Sequence, residues 1–232
     1  MPLPPPASAL TAPAHWRGLL AAGHELSAAR LQEAYGQGIF PWFSEGQPVL
    51  WWSPDPRMVL HTEAFRVHDS LRKTLRQWRR DGRLTVRFDH AFDRVIRHCA
   101  QAPRAGQHGT WILPEMVRAY EDLHAQGLAH SVETWLDGEL VGGLYAVSIG
   151  RALFGESMFA LQRDASKVAL AALVAFARVH EMPWIDCQQN TRHLASLGAR
   201  EMARTDFLRG VAREVTREPP VWEFASLYWD AL

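Results

Sequence analysis

Near the middle of the chain the apolar residues change their period from helical to extended. Over 92–127 they recur at helical spacing: Phe92, Val95, Ile96 and Cys99 form one stripe, and Met116, Val117, Tyr120 and Leu123 form the next, opened by Pro114 and closed by Gly127. From Ser131 the period drops to two. Residues 131–135 alternate, Asp137-Gly138 is a hairpin-turn signal, 139–149 reads as one long strand, Gly150-Arg151 turns again, and 152–160 makes a third strand. Residues 168–177 are then ten apolar residues in succession, a helix hydrophobic all round and therefore buried, before 184–188 returns as a strand.

A three-stranded meander, a buried helix and a returning strand predict an α+β fold with a mixed, largely antiparallel sheet flanked by helices, of the acetyltransferase-like kind. Asp164 or Ser166 is the expected cap of the buried helix. A boundary is expected near residue 60, giving a small N-terminal domain with an aromatic loop over 1–60 and a catalytic domain over 61–232. In the first, Ser27 can cap a short helix that runs to Tyr35 and ends at Gly36 and Gly38. The stretch from Phe40 to Arg57 holds Phe40, Trp42, Phe43, Trp51 and Trp52, and its Pro54 and Pro56 predict a rigid loop.

The chain has 25 basic and 25 acidic side chains, but the balance is local. Between 66 and 87 eight basic residues (Arg66, Arg72, Lys73, Arg76, Arg79, Arg80, Arg83 and Arg87) meet only Asp69 and Asp81. Asp69 or Ser70 can cap a helix there, docked by Leu71, Leu75 and Trp78 with its cations outward. A positioned polyanion site and a plain solvated helix face both account for that pattern.

Several classes are excluded by what is missing. Two cysteines, Cys99 and Cys187, make no disulfide framework and read as free thiols in a reducing compartment. The ten-residue apolar run is half the length of a membrane span, and the Pro- and Ala-rich start lacks the charged and apolar parts of a secretory signal, so a frayed tail on a cytoplasmic protein is expected. Eleven histidines form no HxxxH or HExxH pair, and neither GxGxxG, GxxxxGK[ST] nor GxSxG occurs, so no metal or cofactor is expected. The loop over 160–165 lacks the glycines with which coenzyme-A-dependent acetyltransferases present N–H groups to pyrophosphate.

Chemistry can sit at the strand ends. Alternation puts Asp186 and Gln188 on one face and Cys187 on the other, a carboxylate and an amide able to grip an amine from two directions. Glu156 and Met158 share a face of the preceding strand and meet that pair if the strands are neighbours. Gly142-Gly143 inside a strand marks close approach of a substrate or of a packed helix. The five aromatics of the first domain could stack a base, wall an apolar pocket, or form a small core.

Nine blocks in order carry a resemblance: Phe40-Pro41-Trp42-Phe43, Trp51-Trp52-Ser53-Pro54-Asp55-Pro56-Arg57, Gly109-Thr110-Trp111-Ile112, His130-Ser131-Val132-Glu133, Gly142-Gly143-Leu144-Tyr145, Gly155-Glu156-Ser157-Met158-Phe159, Ala165-Ser166-Lys167, Asp186-Cys187-Gln188 and His193-Leu194-Ala195-Ser196-Leu197-Gly198-Ala199. Together, over about 26–207, they resemble leucyl/phenylalanyl-tRNA–protein transferases. The resemblance implies a bacterial cytoplasmic enzyme, expected to be monomeric. Such an enzyme moves Leu, Phe or Met from aminoacyl-tRNA to the α-amine of proteins beginning with Arg or Lys, marking them for degradation. It implies Glu156, Asp186 and Gln188 near the reacting amine, and Trp42, Trp111, Leu144 and Ile185 around the aminoacyl group or terminal adenosine. Met158, Gly142, Gly143 and Leu153 complete the expected binding set, Leu153 standing where some relatives carry Phe. The basic residues of 66–87 become the expected tRNA surface.

The chemistry agrees. An aminoacyl ester is already activated, so no ATP site is needed, and an α-amine with a pKa of about 7.7–8.0 is partly neutral at pH 7. Alignment is then the main catalytic task. The rival readings are an acyltransferase using acyl-coenzyme A, one passing an aminoacyl group to a cell-wall precursor, and a non-catalytic RNA-binding module.

Overall fold

The computed structural model describes residues 2–23, 25–102 and 112–232. In chain order the elements are β1 (Leu19–Ala22), α1 (Ala28–Gly36), β2 (Phe40–Pro41), β3 (Leu50–Trp52), β4 (Arg57–His61), α2 (Asp69–Arg80), β5 (Leu84–Phe88), α3 (Phe92–Gln101) and α4 (Pro114–Ala125). There follow β6 (Ala129–Leu136), β7 (Glu139–Ile149), β8 (Ala152–Ala160), α5 (Ala165–Val179), β9 (Trp184–Asp186), α6 (Arg192–Ser196), β10 (Arg200–Met202) and α7 (Arg204–Glu214). No helix among the described residues is long and apolar enough to cross a membrane.

The expected meander is present as β6-β7-β8, and its first turn works because Asp137 and Gly138 both take positive φ, 51° and 85°, as a two-residue type I′ hairpin requires. It lies within a seven-stranded sheet ordered β10-β4-β9-β8-β7-β6-β5, antiparallel except for the β8–β9 pair. A separate three-stranded sheet, β1-β3-β2, takes β2 and β3 from the aromatic stretch and β1 from the chain ahead of α1. The expected rigid loop is thus partly extended: its prolines interrupt pairing, and the short strands between them still bury Trp51 and Trp52.

Alternation along β7 divides the core. Tyr145 and Val147 face α1, α3, α4 and α7, whereas Leu144 and Ala146 face α5 and α2. The buried helix is α5, with all ten residues 168–177 below 5% exposure. Burying a Val, Leu or Phe side chain is worth roughly 1.5–3 kcal/mol, and α5 buries Val168, Leu170, Leu173, Val174 and Phe176, so it needs little cap. Asp164 stands at its N-cap position in a left-handed conformation, φ 65°, and makes no capping bond. Its carboxylate instead binds Lys167 Nζ and Thr74 Oγ1 at 2.8 and 3.2 Å. Likewise His68, not Asp69 or Ser70, precedes α2 and offers no side-chain cap. Ser27 does cap α1, its hydroxyl accepting from Arg30 N at 3.3 Å.

Candidate active site

Strands β8 and β9 pair only through Leu153 with Ile185 and Phe154 with Asp186. Beyond those pairs each leaves the ladder. Gly155 faces Ala146 on β7 and Ser157 faces Tyr145, so Glu156 is the extra residue of a β-bulge. β9 stops at Asp186, and two residues later Gln188 adopts a left-handed φ of 56°. The strands part, and a cleft of about 410 Å³ opens between their ends. Leu144, Met158, Leu173 and Ile185 line it with apolar surface, Glu156 and Gln188 supply its polar groups, and Trp42, 36% exposed, stands at its edge.

The bend at Gln188 is held from behind. Arg57 and Asp186, both fully buried, form a two-bond pair: Nε donates to Oδ1 at 2.8 Å and Nη2 to Oδ2 at 2.6 Å. The guanidinium lies between the rings of Phe40 and Phe207, 4.7 and 4.5 Å from their centroids. Asp186 Oδ1 also accepts from the backbone N–H of Gln188 at 3.0 Å. The carboxylate therefore fixes a backbone conformation that costs an ordinary residue about 1–2 kcal/mol, and aims the Gln188 side chain into the cleft.

Glu156 is the second polar group. Gln188 Nε2 donates to its Oε1 at 3.4 Å, the Tyr120 hydroxyl donates to its Oε2 at 3.1 Å, and Tyr35 bonds the hydroxyl of Tyr120 in turn. Burial pushes the Glu156 carboxyl up to about 7, and the nearby charge of Asp186 adds to that. Hydrogen bonds from Tyr35 and Tyr120 and the Arg57 charge oppose it. Burial likewise raises both tyrosines well above their ordinary range, with the Glu156 charge as the next cause, so they serve as donors. The Cys187 thiol, also on the cleft, is pushed far up by burial and by Asp186, so it is no nucleophile.

Of the residues singled out from sequence, Glu156, Gln188, Met158, Leu144, Ile185 and Trp42 border the cleft. Asp186 does not: alternation holds through 185–187, so Ile185 and Cys187 face the cleft while the Asp186 carboxylate points the other way, to Arg57 and to the chain. Gln188 reaches the cleft beside Cys187 because the left-handed turn at 188 breaks that alternation. Leu153 is fully buried in the α5 core behind Ile185. Gly142 and Gly143 lie outside the cleft: a Cβ at Gly142 would stand 2.5 Å from that of Ala165, and one at Gly143 2.9 Å from Val132 O, so the pair admits helix packing on one face and Phe159 and Val95 on the other. Trp111 lies outside the described residues. The eight cations are all exposed, with Arg83 bound to Asp137, Arg80 to Asp81, and Arg79 over Trp229.

Three contributors escaped the sequence argument. Tyr35 closes a helix and Tyr120 sits in an apolar stripe, so periodicity records their burial but not their hydroxyls. Arg57 had a usable signal, a charged residue directly ahead of the apolar Met58-Val59-Leu60.

Comparison with known proteins bears on what this cleft serves. The profile described as leucyl/phenylalanyl-tRNA protein transferase matches residues 59–212, and the one for the N-terminal domain of that protein matches 24–55. The chain belongs to the leucyl/phenylalanyl-tRNA protein transferase family. The family member of that name from Polaromonas sp. (strain JS666 / ATCC BAA-500) is 63% identical over 212 residues, 91% of this chain and 83% of that protein. The one from Paraburkholderia xenovorans (strain LB400) is 58% identical over 96% of this chain and 91% of its own. A crystal structure of a functionally unknown conserved protein from Staphylococcus epidermidis ATCC 12228 aligns with a TM-score of 0.38 at 8% identity, over 80% of this chain and 68% of that one, too weak a likeness to argue from. In this transferase family member both matched segments build the cleft: Phe40, Pro41 and Trp42 come from the first and its other lining residues from the second.

Proposed function

We propose that this chain transfers Leu, Phe or Met from the 3′ end of an aminoacyl-tRNA to the α-amine of a protein beginning with Arg or Lys, as a monomeric cytoplasmic enzyme that marks the acceptor for degradation. We also propose that residues 1–60 and 61–232 are its two domains. The observation that carries the reading is the meeting of Glu156 and Gln188 at one apolar cleft. Leu144, Met158 and Ile185 would receive an unbranched-at-Cβ apolar side chain and reject charged ones through desolvation. Trp42 would bear on the aminoacyl group or terminal adenosine, and the cations of 66–87 on the tRNA backbone.

The neutral α-amine attacks the ester carbonyl carbon. A C–N bond forms, the C–O bond to the ribose breaks, the attacking nitrogen gives up a proton, and the departing ribose oxygen takes one up. Because Gln188 Nε2 donates to Glu156, its Oε1 is left to accept from the amine and set the line of attack. Asp186 acts through Gln188 as a positioning residue. Glu156, poised near neutral pH, balances the cationic side chain of the acceptor's first residue as a carboxylate before attack and can then take up the proton that the amine gives up.

The test uses Leu-tRNA or Phe-tRNA labelled on the amino acid, mixed with one peptide beginning in Arg and another beginning in Ala. Label on the Arg peptide alone is expected. Label on neither removes the proposal.

A further inference from the structure

The cations of 66–87 do not end at the edge of the sheet. Arg87 projects from β5, the edge strand, on the face covered by α3, and opposite it in the ladder stands Glu133. Arg94, in the first turn of α3, approaches the same place. Both guanidiniums lie over one indole, that of Trp135, at 5.2 and 5.3 Å from its centroid. His90 meets the ring edge-on, and its Nε2 accepts from Arg87 Nη1 at 2.7 Å. The ring is itself fixed, because Trp135 Nε1 donates to Glu133 Oε2 at 2.9 Å.

The carboxylates nearby are committed elsewhere. Glu133 is fully buried and accepts from Ala91 N, Ser131 Oγ and Trp135 Nε1. Asp93 and Glu121 both hold Arg97, and Asp89 holds His130 and the N–H of Ser131. Among the described residues neither Arg87 nor Arg94 has a carboxylate within ion-pair distance. Two like charges are thus held against one indole ring with no carboxylate to offset them, and an anion bound there relieves their repulsion. Guanidinium groups suit phosphate oxygens as partners.

Register ties this place to the cleft. Phe88, Val132, Leu144 and Met158 form one row across β5, β6, β7 and β8, and the next row is Arg87, Glu133, Gly143 and Phe159. Leu144 and Met158 line the cleft from the α5 face, so Arg87 stands three strand spacings across the sheet from it, roughly 14 Å, on the other face. The α2 cations lie on the opposite face of the sheet, with α5. The positive surface therefore passes around the β5 edge.

We propose that Arg87 and Arg94 on the Trp135 indole form a phosphodiester subsite that holds the backbone of the tRNA donor on the α3 face, separate from α2. This rests on the proposed function for its ligand, and Arg94 is the residue it adds. Regular backbone phosphates suit two cations that lack a carboxylate partner, set on a positive surface that runs around the β5 edge.

The full chain and the Arg87→Ala/Arg94→Ala and Arg94→Ala variants are compared with Phe-tRNA and with a minimal aminoacyl-adenosine donor, at several salt concentrations. For the double variant, KM for Phe-tRNA is expected to rise about tenfold at low salt, and the slope of log KM against log salt to shrink by about one to two. kcat with the same donor should hold, and the minimal donor should be used as before. Arg94→Lys keeps the charge but loses the planar guanidinium fork, and should fall between. Unchanged KM and salt slope in a double variant that melts like the parent overturns the subsite. A rise in KM for an acidic protein acceptor with that for tRNA unchanged overturns it in favour of a protein contact. Should the parent transfer nothing, the proposed function fails by itself. Direct binding of uncharged tRNA then decides the subsite: weaker binding by the double variant supports it, and equal binding overturns it.

Discussion

Two arginine–aspartate pairs in this protein use the same two nitrogens at similar distances. Arg57 Nε and Nη2 donate to separate oxygens of Asp186 at 2.8 and 2.6 Å, and Arg83 Nε and Nη2 converge on Asp137 Oδ2 at 2.9 and 2.6 Å, with Oδ1 3.2 Å from Nε. The first pair is fully buried between two phenylalanine rings; the second lies in the open across the turn after β6. Water surrounds one pair and is absent from the other, so the same hydrogen bonds carry different weight. An exposed pair is worth about 0–1 kcal/mol, whereas removing one partner of a buried pair strands a charge. Only the buried pair also sets a backbone, that of Gln188, and through it the chemistry of the cleft.

The comparison is broken hardest by Asp186→Ala or Arg57→Met, each expected to cost about 3–5 kcal/mol in chemical denaturation and to abolish transfer. The double variant Arg57→Met/Asp186→Leu sharpens it: stability should return to within about 1–2 kcal/mol of the parent, while transfer stays lost because nothing then holds Gln188. Full activity in the double variant would refute the positioning role.

Glu156 comes next, a half-buried carboxyl with no cation bonded to it. Its folded carboxyl titrates near 7 and its unfolded one near 4.5, so folding takes up a proton between those values and stability falls as pH rises through that window. The full effect, at most about 3 kcal/mol, is present above pH 7. Glu156→Gln should flatten that slope in unfolding curves taken from pH 4.5 to 8. In the parent, KM for an Arg-initiated peptide should fall as pH rises through 7 and the carboxylate charges, and the variant should lose that dependence.

The smallest effect is expected at the exposed pair. Asp137→Ala should leave the midpoint of chemical denaturation nearly where it is in the parent, and high salt should erase any difference. Arg83 holds the Asp137 carboxyl below its usual range, so whatever the pair contributes is present above pH 3.8 and fades as pH falls through the lowered value. A loss at Asp137 as large as that at Asp186 would break the comparison outright.

Much of the fold was legible. The period change at Ser131, the Asp137-Gly138 turn and the apolar run of α5 locate the meander and its helix to within a few residues. The short strands β2, β3 and β4 were less so, since prolines at 41, 54 and 56 mask an extended pattern whose partners lie far along the chain. In the cleft, Glu156 and Gln188 were recoverable from their neighbours in sequence. The expectation that Asp186 shares a face with Gln188 failed because it presumes that the strand runs on to 188: Asp186 keeps the face that alternation gives it, and the left-handed turn carries Gln188 to the other.

The residues taken alone determined the periods, the turns and the family, because each is written in neighbours a few positions apart. The tertiary structure alone decided that Arg57 and Asp186, 129 positions apart, meet without water, and that Arg87 and Arg94 share an indole. Whether a charge is buried, paired or left to seek an anion depends on the medium that distant segments assemble around it, and no local pattern encodes that medium.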